Sequence, residues 1–181
     1  MEIEQTYLND CYLMKPKVFA DDRGVFFETF NKRQFFKLTG VSIDFVQDNQ
    51  SISQKGVLRG LHFQTGDFEQ AKLVRVVTGS VLDVAVDIRP HSSTFGQHFS
   101  VVLSAENNRQ VYIPRGFAHG FLVLEDHTIF SYKCDNYYHK PSERGIIFND
   151  QSINIDWQFP ENQMIISDKD KVLPLFENLI K

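Results

Sequence analysis

Val57-Leu58-Arg59-Gly60-Leu61-His62-Phe63-Gln64 alternates like an extended chain, but its polar residues are not those of a plain strand. Strand side chains point alternately to two faces. Val57, Arg59, Leu61 and Phe63 therefore share one face, and Leu58, Gly60, His62 and Gln64 share the other. A half-buried strand reads apolar on one face and polar on the face toward solvent. Here an arginine and a histidine sit among large apolar residues, with a strand-weakening glycine between them. The pattern predicts a strand that carries part of a site.

Strand-like segments dominate the flanking sequence. Leu73–Val77 runs into Thr78-Gly79, a turn signal. Ser80–Ile88 puts Leu82, Val84, Val86 and Ile88 on one face and Val81, Asp83, Ala85 and Asp87 on the other. That second face either turns Asp83 and Asp87 into a polar cavity or is solvated. Arg89-Pro90-His91-Ser92-Ser93 reads as a loop, and Phe99–Leu103 and Gln110–Ile113 as strands. Phe121–Leu124 and Thr128–Lys133 flank Glu125-Asp126-His127, the pattern of a hairpin. Asn31–Leu38 predicts a helix, capped by Asn31 and stopped by Gly40, and a second helix is expected near Leu173–Ile180. Many short strands between Gly and Pro turns predict a mainly β sandwich or barrel.

With 181 residues the chain is expected to form a single domain, residues 1–181, around a substantial core. Its 42% hydrophobic and 23% charged residues are globular values and exclude a disordered class. A net charge of −4 argues against nucleic acid as a non-specific partner. An anionic small molecule stays open, because local charge binds a ligand. Cys11 and Cys134 form neither a metal-ligand spacing nor a dense disulfide pattern. The sequence has no signal peptide or apolar span, so the expectation is a cytoplasmic protein without a membrane partner.

Four polar clusters stand out: Arg59 and His62 with Lys72; Ile113–Phe121 around His119; Tyr132-Lys133 followed by Asp135, Tyr137 and Tyr138; and Ser167-Asp168-Lys169-Asp170. Pro114-Arg115-Gly116-Phe117-Ala118-His119 resembles the second motif of the cupin jelly roll. In many cupins that histidine ligates a metal together with an earlier H-x-H. The earlier positions here are His62-Phe63-Gln64, so one histidine is missing. A metal site needs about three converging ligands. The resemblance therefore implies a cupin-type double-stranded β-helix, or jelly-roll barrel, with few short helices and no metal.

A narrower resemblance covers most of the chain. DDRGVFFETF (21–30), FVQDNQSISQKGVLRGLHFQ (45–64), QAKLVRVVTGSVLDVAVDIR (70–89), IPRGFAHGFLVL (113–124), SYK (131–133) with Tyr137-Tyr138 after it, and SDKD (167–170) follow in order. Together they resemble the dTDP-4-dehydrorhamnose 3,5-epimerase family. The resemblance implies inversion of C3 and C5 of dTDP-4-dehydro-6-deoxy-D-glucose through enolates, without a cofactor. Both carbons flank the C4 carbonyl, so their protons are weakly acidic. Inversion needs a base on one face, a proton donor on the other, and a cation or hydrogen-bond donor at the enolate oxygen.

A lone histidine in a strand is by default a satisfied core residue. Arg59, Gly60 and Gln64 around His62 favour the base. The family likeness places Asp170 beside His62 to orient it, with Asp83 as a rival. Tyr132 is implied as the acid and Lys72 as the enolate stabiliser. Arg59 suits diphosphate oxygens through its planar fork, and His119 is implied as a donor to substrate. Arg23 and Glu28 resemble nucleotide contacts that reach across from the other subunit of a homodimer. Gln47, Asp48, Asn49, Glu143 and Lys169 resemble further nucleotide or sugar contacts, and Tyr138 a thymine-stacking residue.

Two loops depart from the family. Thr65-Gly66-Asp67-Phe68-Glu69 replaces a Pro-rich, His-containing turn, and Pro90-His91-Ser92-Ser93 replaces a Gly, Ser and Pro stretch. The first borders the site, so the alternative of an epimerase acting at C3 or C5 alone stays open. A non-catalytic or metal-binding cupin is the alternative from another class.

Overall fold

Alternating apolar residues commit the middle of the chain to strands, and the computed structural model, which describes residues 1–179, contains fourteen within that range. β1 (Glu2–Gln5), β2 (Tyr12–Lys15), β3 (Phe19–Asp21) and β4 (Gly24–Phe26) precede α1 (Lys32–Thr39). β5 (Gln47–Ser53), β6 (Val57–Gln64), β7 (Lys72–Thr78), β8 (Ser80–Asp87) and β9 (His98–Ser104) follow. β10 (Gln110–Ile113), β11 (Phe117–Val123), β12 (Thr128–Cys134), β13 (Glu143–Gly145) and β14 (Ile165–Ile166) complete the order.

Two sheets face each other. One runs β1-β2-β10-β7-β12-β5; the other runs β13-β6-β11-β8-β9, with β14 added in parallel to β6. From β7 to β8 and from β9 through β12 the chain switches sheet at successive connections, except between the paired β8 and β9. This is the jelly-roll architecture that the resemblance implies. It also corrects one expectation. β11 pairs with β6 and β8, whereas β12 pairs with β5 and β7, so Glu125-Asp126-His127 crosses between sheets and closes no hairpin. Turn residues look alike in both settings.

Val74, Val76, Val111 and Phe130 of the first sheet pack on Val81, Ala85, Phe117 and Phe121 of the second. Every residue of β8 is buried, which rules out a solvated second face for Ser80–Ile88. The face carrying Leu82, Val84 and Val86 is covered by Ile146, Phe148, Trp157 and Phe176 from the C-terminal third. Full burial stabilises each such aliphatic or aromatic side chain by about 1.5–3 kcal/mol. Phe35 of α1 packs on Met14, Leu73 and Tyr112 and covers the outer face of the first sheet.

α1 starts and stops as the sequence predicts. Asn31 accepts from the Gln34 N–H, and Gly40 takes the left-handed conformation at φ 75°. The second helix does not form as an α-helix: Phe176–Leu179 is a 3-10 turn, and Ile180 lies outside the described residues. No helix among the described residues is long and apolar enough to cross a membrane.

Candidate active site

The parity of β6 changes in the middle of the strand. His62 is opposite His119, but Arg59 is opposite Phe121, so the register with β11 shifts by one between them. An extra residue in one strand of a pair redirects the side chains beyond it. Arg59 and His62 fall on opposite faces by simple alternation, yet both line one cavity of about 650 Å³ between the sheets. Gly60, at φ +120°, sits at this bulge.

Asp170 reaches the cavity through β14, whose Ile165 and Ile166 pair in parallel with Val57 and Leu58. Asp170 Oδ1 accepts from His62 Nε2 at 2.7 Å. The carboxylate is 3% exposed. Burial alone would raise its pKa, but the hydrogen bond and charge of His62, with help from the Gly60 N–H, hold it below the usual carboxylate range. With Nε2–H donating to Asp170, the other ring nitrogen of His62 is the one able to take a proton.

Asp83, the rival, lies elsewhere. It accepts from His119 Nε2 at 2.8 Å, and both side chains are buried. Burial pushes the His119 pKa down, and Asp83 offsets this only in part. In the neutral ring Nε2–H serves Asp83, and the remaining nitrogen accepts. The expected donor role of His119 toward substrate needs the protonated ring, which burial disfavours. Asp87, expected near the same cavity, is instead clasped by Arg89, Ser92 and Thr94.

The facing sheet supplies Lys72 from β7, and Tyr132 and Asn49 from β12 and β5. His62 and Tyr132 thus stand on opposed walls. Burial lowers the Lys72 pKa, against weaker pulls from Cys134, Asp83 and Glu143. Burial also raises the Tyr132 pKa, which keeps the phenol protonated. Arg59 donates to Ser53 Oγ at 3.4 Å at the cavity edge. Lys169 lines the same space, and its ammonium meets Glu143 Oε2 at 2.6 Å. An adjoining lobe of about 330 Å³ is lined by Gln47, Tyr138 and Glu143, and it shares His62, Lys72 and Tyr132 with the main cavity.

Three expected site residues lie outside both lobes. Asp48 turns the other way, because β5 alternates, and it pairs with Lys133 at 3.0 Å. Arg23 sits on the β3–β4 hairpin, paired with Asp21, and Glu28 accepts from Asn31 at the surface. The alternation that removes Asp48 also identifies a residue that the sequence reading missed. Ser51 shares the inward parity of Gln47 and Asn49, lines the cavity, and has a buried Oγ without a protein partner. Ile165 and Ile166 also line it, and no pattern in the sequence marks them. Among the described residues, no cluster of three His, Cys, Asp or Glu side chains is placed to hold a metal ion.

Known proteins share this fold and much of this sequence. The family model described as dTDP-4-dehydrorhamnose 3,5-epimerase matches residues 5–178. The chain is 51% identical over 182 residues to the dTDP-4-dehydrorhamnose 3,5-epimerase of Escherichia coli K12, covering 100% of this chain and 97% of the relative. The crystal structure of the dTDP-4-dehydrorhamnose 3,5-epimerase of Elizabethkingia anophelis NUHP1 superposes with a TM-score of 0.96 at 53% identity, over 98% of this chain and 97% of the other. The dTDP-6-deoxy-D-glucose-3,5-epimerase of Legionella pneumophila Philadelphia 1, in complex with dTDP-4-keto-L-rhamnose, superposes with a TM-score of 0.94 at 49% identity, over 99% and 94%.

Proposed function

We propose that this chain, which belongs to the dTDP-4-dehydrorhamnose 3,5-epimerase family, inverts C3 and C5 of dTDP-4-dehydro-6-deoxy-D-glucose to give dTDP-4-dehydro-L-rhamnose. The observation that carries the proposal is the opposition of His62 and Tyr132 across one cavity, with His62 held by Asp170 at 2.7 Å. A ring between them has a base on one face and an acid on the other, as inversion requires.

His62 removes the proton beside the C4 carbonyl, and Asp170 fixes the tautomer and stabilises the imidazolium. The Lys72 ammonium faces the C4 oxygen as the enolate charge develops, in a site where burial strengthens the interaction. Tyr132 returns a proton to the opposite face. Arg59 holds diphosphate oxygens, His119 and Asn49 contact the sugar, and Tyr138 stacks on the base. These steps draw on side chains alone, and the reading assigns no cofactor.

The catalytic unit is a single domain that works as a homodimer in the cytoplasm. The exposed β3–β4 hairpin, with Phe19, Val25 and Phe26 all more than half exposed, supports a second copy lying against it. Arg23 and Glu28 then serve the partner's nucleotide. A monomer by light scattering would remove that part of the proposal.

The test is turnover of dTDP-4-dehydro-6-deoxy-D-glucose in D₂O, followed by proton NMR. Deuterium at both C3 and C5 with accumulation of the L-sugar is expected. Deuterium at one carbon would identify a mono-epimerase, and none at either would overturn the enzymatic reading.

A further inference from the structure

The segment carrying Tyr138 is held by amides from both sheets. Gln64, on β6, is 7% exposed. Its Nε2 donates to the carbonyl oxygens of Phe68 at 2.7 Å and Tyr137 at 3.1 Å, and its Oε1 accepts from the His139 N–H at 2.6 Å. From the facing sheet, Gln47 Oε1 accepts from the Tyr138 N–H at 3.0 Å. The backbone is therefore tied at three consecutive residues. The Phe68 ring stacks on His139 with centroids 3.8 Å apart and planes at 13°. Phe68 belongs to the Thr65–Glu69 turn that departs from the family pattern.

The Tyr138 ring itself is 54% exposed, and its hydroxyl donates to Glu143 Oε2 at 3.0 Å. An exposed aromatic ring on a fixed backbone makes a rigid stacking platform at the adjoining lobe. Such a platform binds without the cost of ordering a mobile loop.

We infer that Gln64 is a positioning residue for nucleobase recognition, and that the Gln64 amide and the Phe68–His139 stack together set Tyr138. The inference rests on reading the substrate as a dTDP-linked sugar. Gln64→Leu leaves two carbonyls and one N–H without their partner and releases the segment. The lost interaction is common to ground and transition states, so it raises KM and spares kcat.

The experiment is calorimetric titration of dTDP into the wild type, Gln64→Leu, Tyr138→Ala and the double variant, with kcat and KM for each. The wild type binds dTDP, and each single substitution weakens binding by about tenfold. The double variant binds no worse than Tyr138→Ala alone, because Gln64 acts through Tyr138. The kcat of Gln64→Leu stays within about threefold of the wild type. Unchanged affinity, losses that add in full, or a fall in kcat at constant KM would overturn the inference. If Gln64→Leu does not fold, Phe68→Ala carries the same test, since it removes the stack and keeps the amide. A wild type that binds no dTDP would overturn the substrate reading and this inference with it. A wild type that binds, beside variants that bind equally well, would overturn the inference alone.

Discussion

His62 Nε2 and Asp170 Oδ1 are 2.7 Å apart across 108 positions of sequence. The carboxylate has a second tie to the Gly60 N–H at 3.4 Å and is almost wholly buried. Two residues acting as one base are not additive when removed. His62→Ala is expected to lose 10²–10⁴ in kcat, on the order of a full general-base contribution. Asp170→Asn is expected to lose at least about 10², and the double variant little more than His62→Ala. Rates of deuterium uptake at C3 and C5 measure all three. Full activity in Asp170→Asn would remove the carboxylate from the mechanism.

Tyr132 stands on the opposite wall, and its pKa is raised chiefly by burial. In Tyr132→Phe, His62 still removes a proton and can return it, as deuterium, to the same face. Exchange without inversion is the expected result: deuterium enters while the L-sugar fails to accumulate. Loss of exchange and inversion together would mean that Tyr132 also serves the first proton transfer.

Much of this arrangement was legible because alternation is a local property. β7, β8, β10 and α1 follow directly from periodicity, capping and turn residues. What failed was not local. Glu125-Asp126-His127 carries hairpin residues, but its two flanking strands bury their sides in different sheets. Arg59 and His62 have opposite parity on paper and share a cavity only because the register slips beside Gly60. Asp170 arrives through a two-residue parallel pairing too short to leave a pattern. Its partnership with His62 was readable from family likeness, and no spacing rule would have chosen it over Asp83. Asp48 shows the converse, since the β5 alternation that turns it away was present in the sequence.

Asp87 is a structural carboxylate, and its pH dependence follows from its partners. Burial alone would raise its pKa; Arg89, Ser92 and Thr94 outweigh burial and hold it below the usual carboxylate value. A depressed folded pKa contributes stability that is present above the unfolded value, about 3.9, and is lost as pH falls through the folded value. Asp87→Asn is expected to cost about 3 kcal/mol at neutral pH, or roughly 6–12 °C in Tm. The gap between variant and wild type closes as the pH falls below about 4. Thermal melts from pH 7 to pH 2.5 would show it, and a constant gap would mean that shape, not charge, is what Asp87 supplies.

The role proposed for Lys72 sets stability against rate. Its side chain is half-buried at the cavity wall, and the lowered pKa records the penalty of holding that charge partly away from water. Lys72→Met keeps the length and removes the charge. The variant is expected to melt about 2–8 °C higher, for about 1–2 kcal/mol regained. It is also expected to lose about 10²–10³ in kcat through the missing enolate contact. Melting and turnover measured on one preparation give both values. A variant that melts lower would show that Lys72 is paired well enough to support the fold.

Gly60 makes the sharpest test of how the site is built. A Cβ there would lie 2.6 Å from Gly120 Cα and 2.7 Å from His119 O, both backbone atoms that cannot move aside cheaply. Its φ of +120° is also one that L side chains rarely adopt. The close approach of β6 and β11 at this point is where the register slips, and the slip brings Arg59 and His62 into one cavity. Gly60→Ala is expected to cost more than about 3 kcal/mol and to abolish turnover in whatever folded protein remains. Gly66→Ala is the control. Gly66 has φ +66° with nothing within 4 Å of its Cβ position, so that variant bears the conformational cost alone, about 1–2 kcal/mol. If the two variants melt alike, backbone conformation accounts for both and strand contact adds nothing. If Gly60→Ala melts well below Gly66→Ala, the difference measures the contact of β6 with β11 together with the steeper cost of φ +120°.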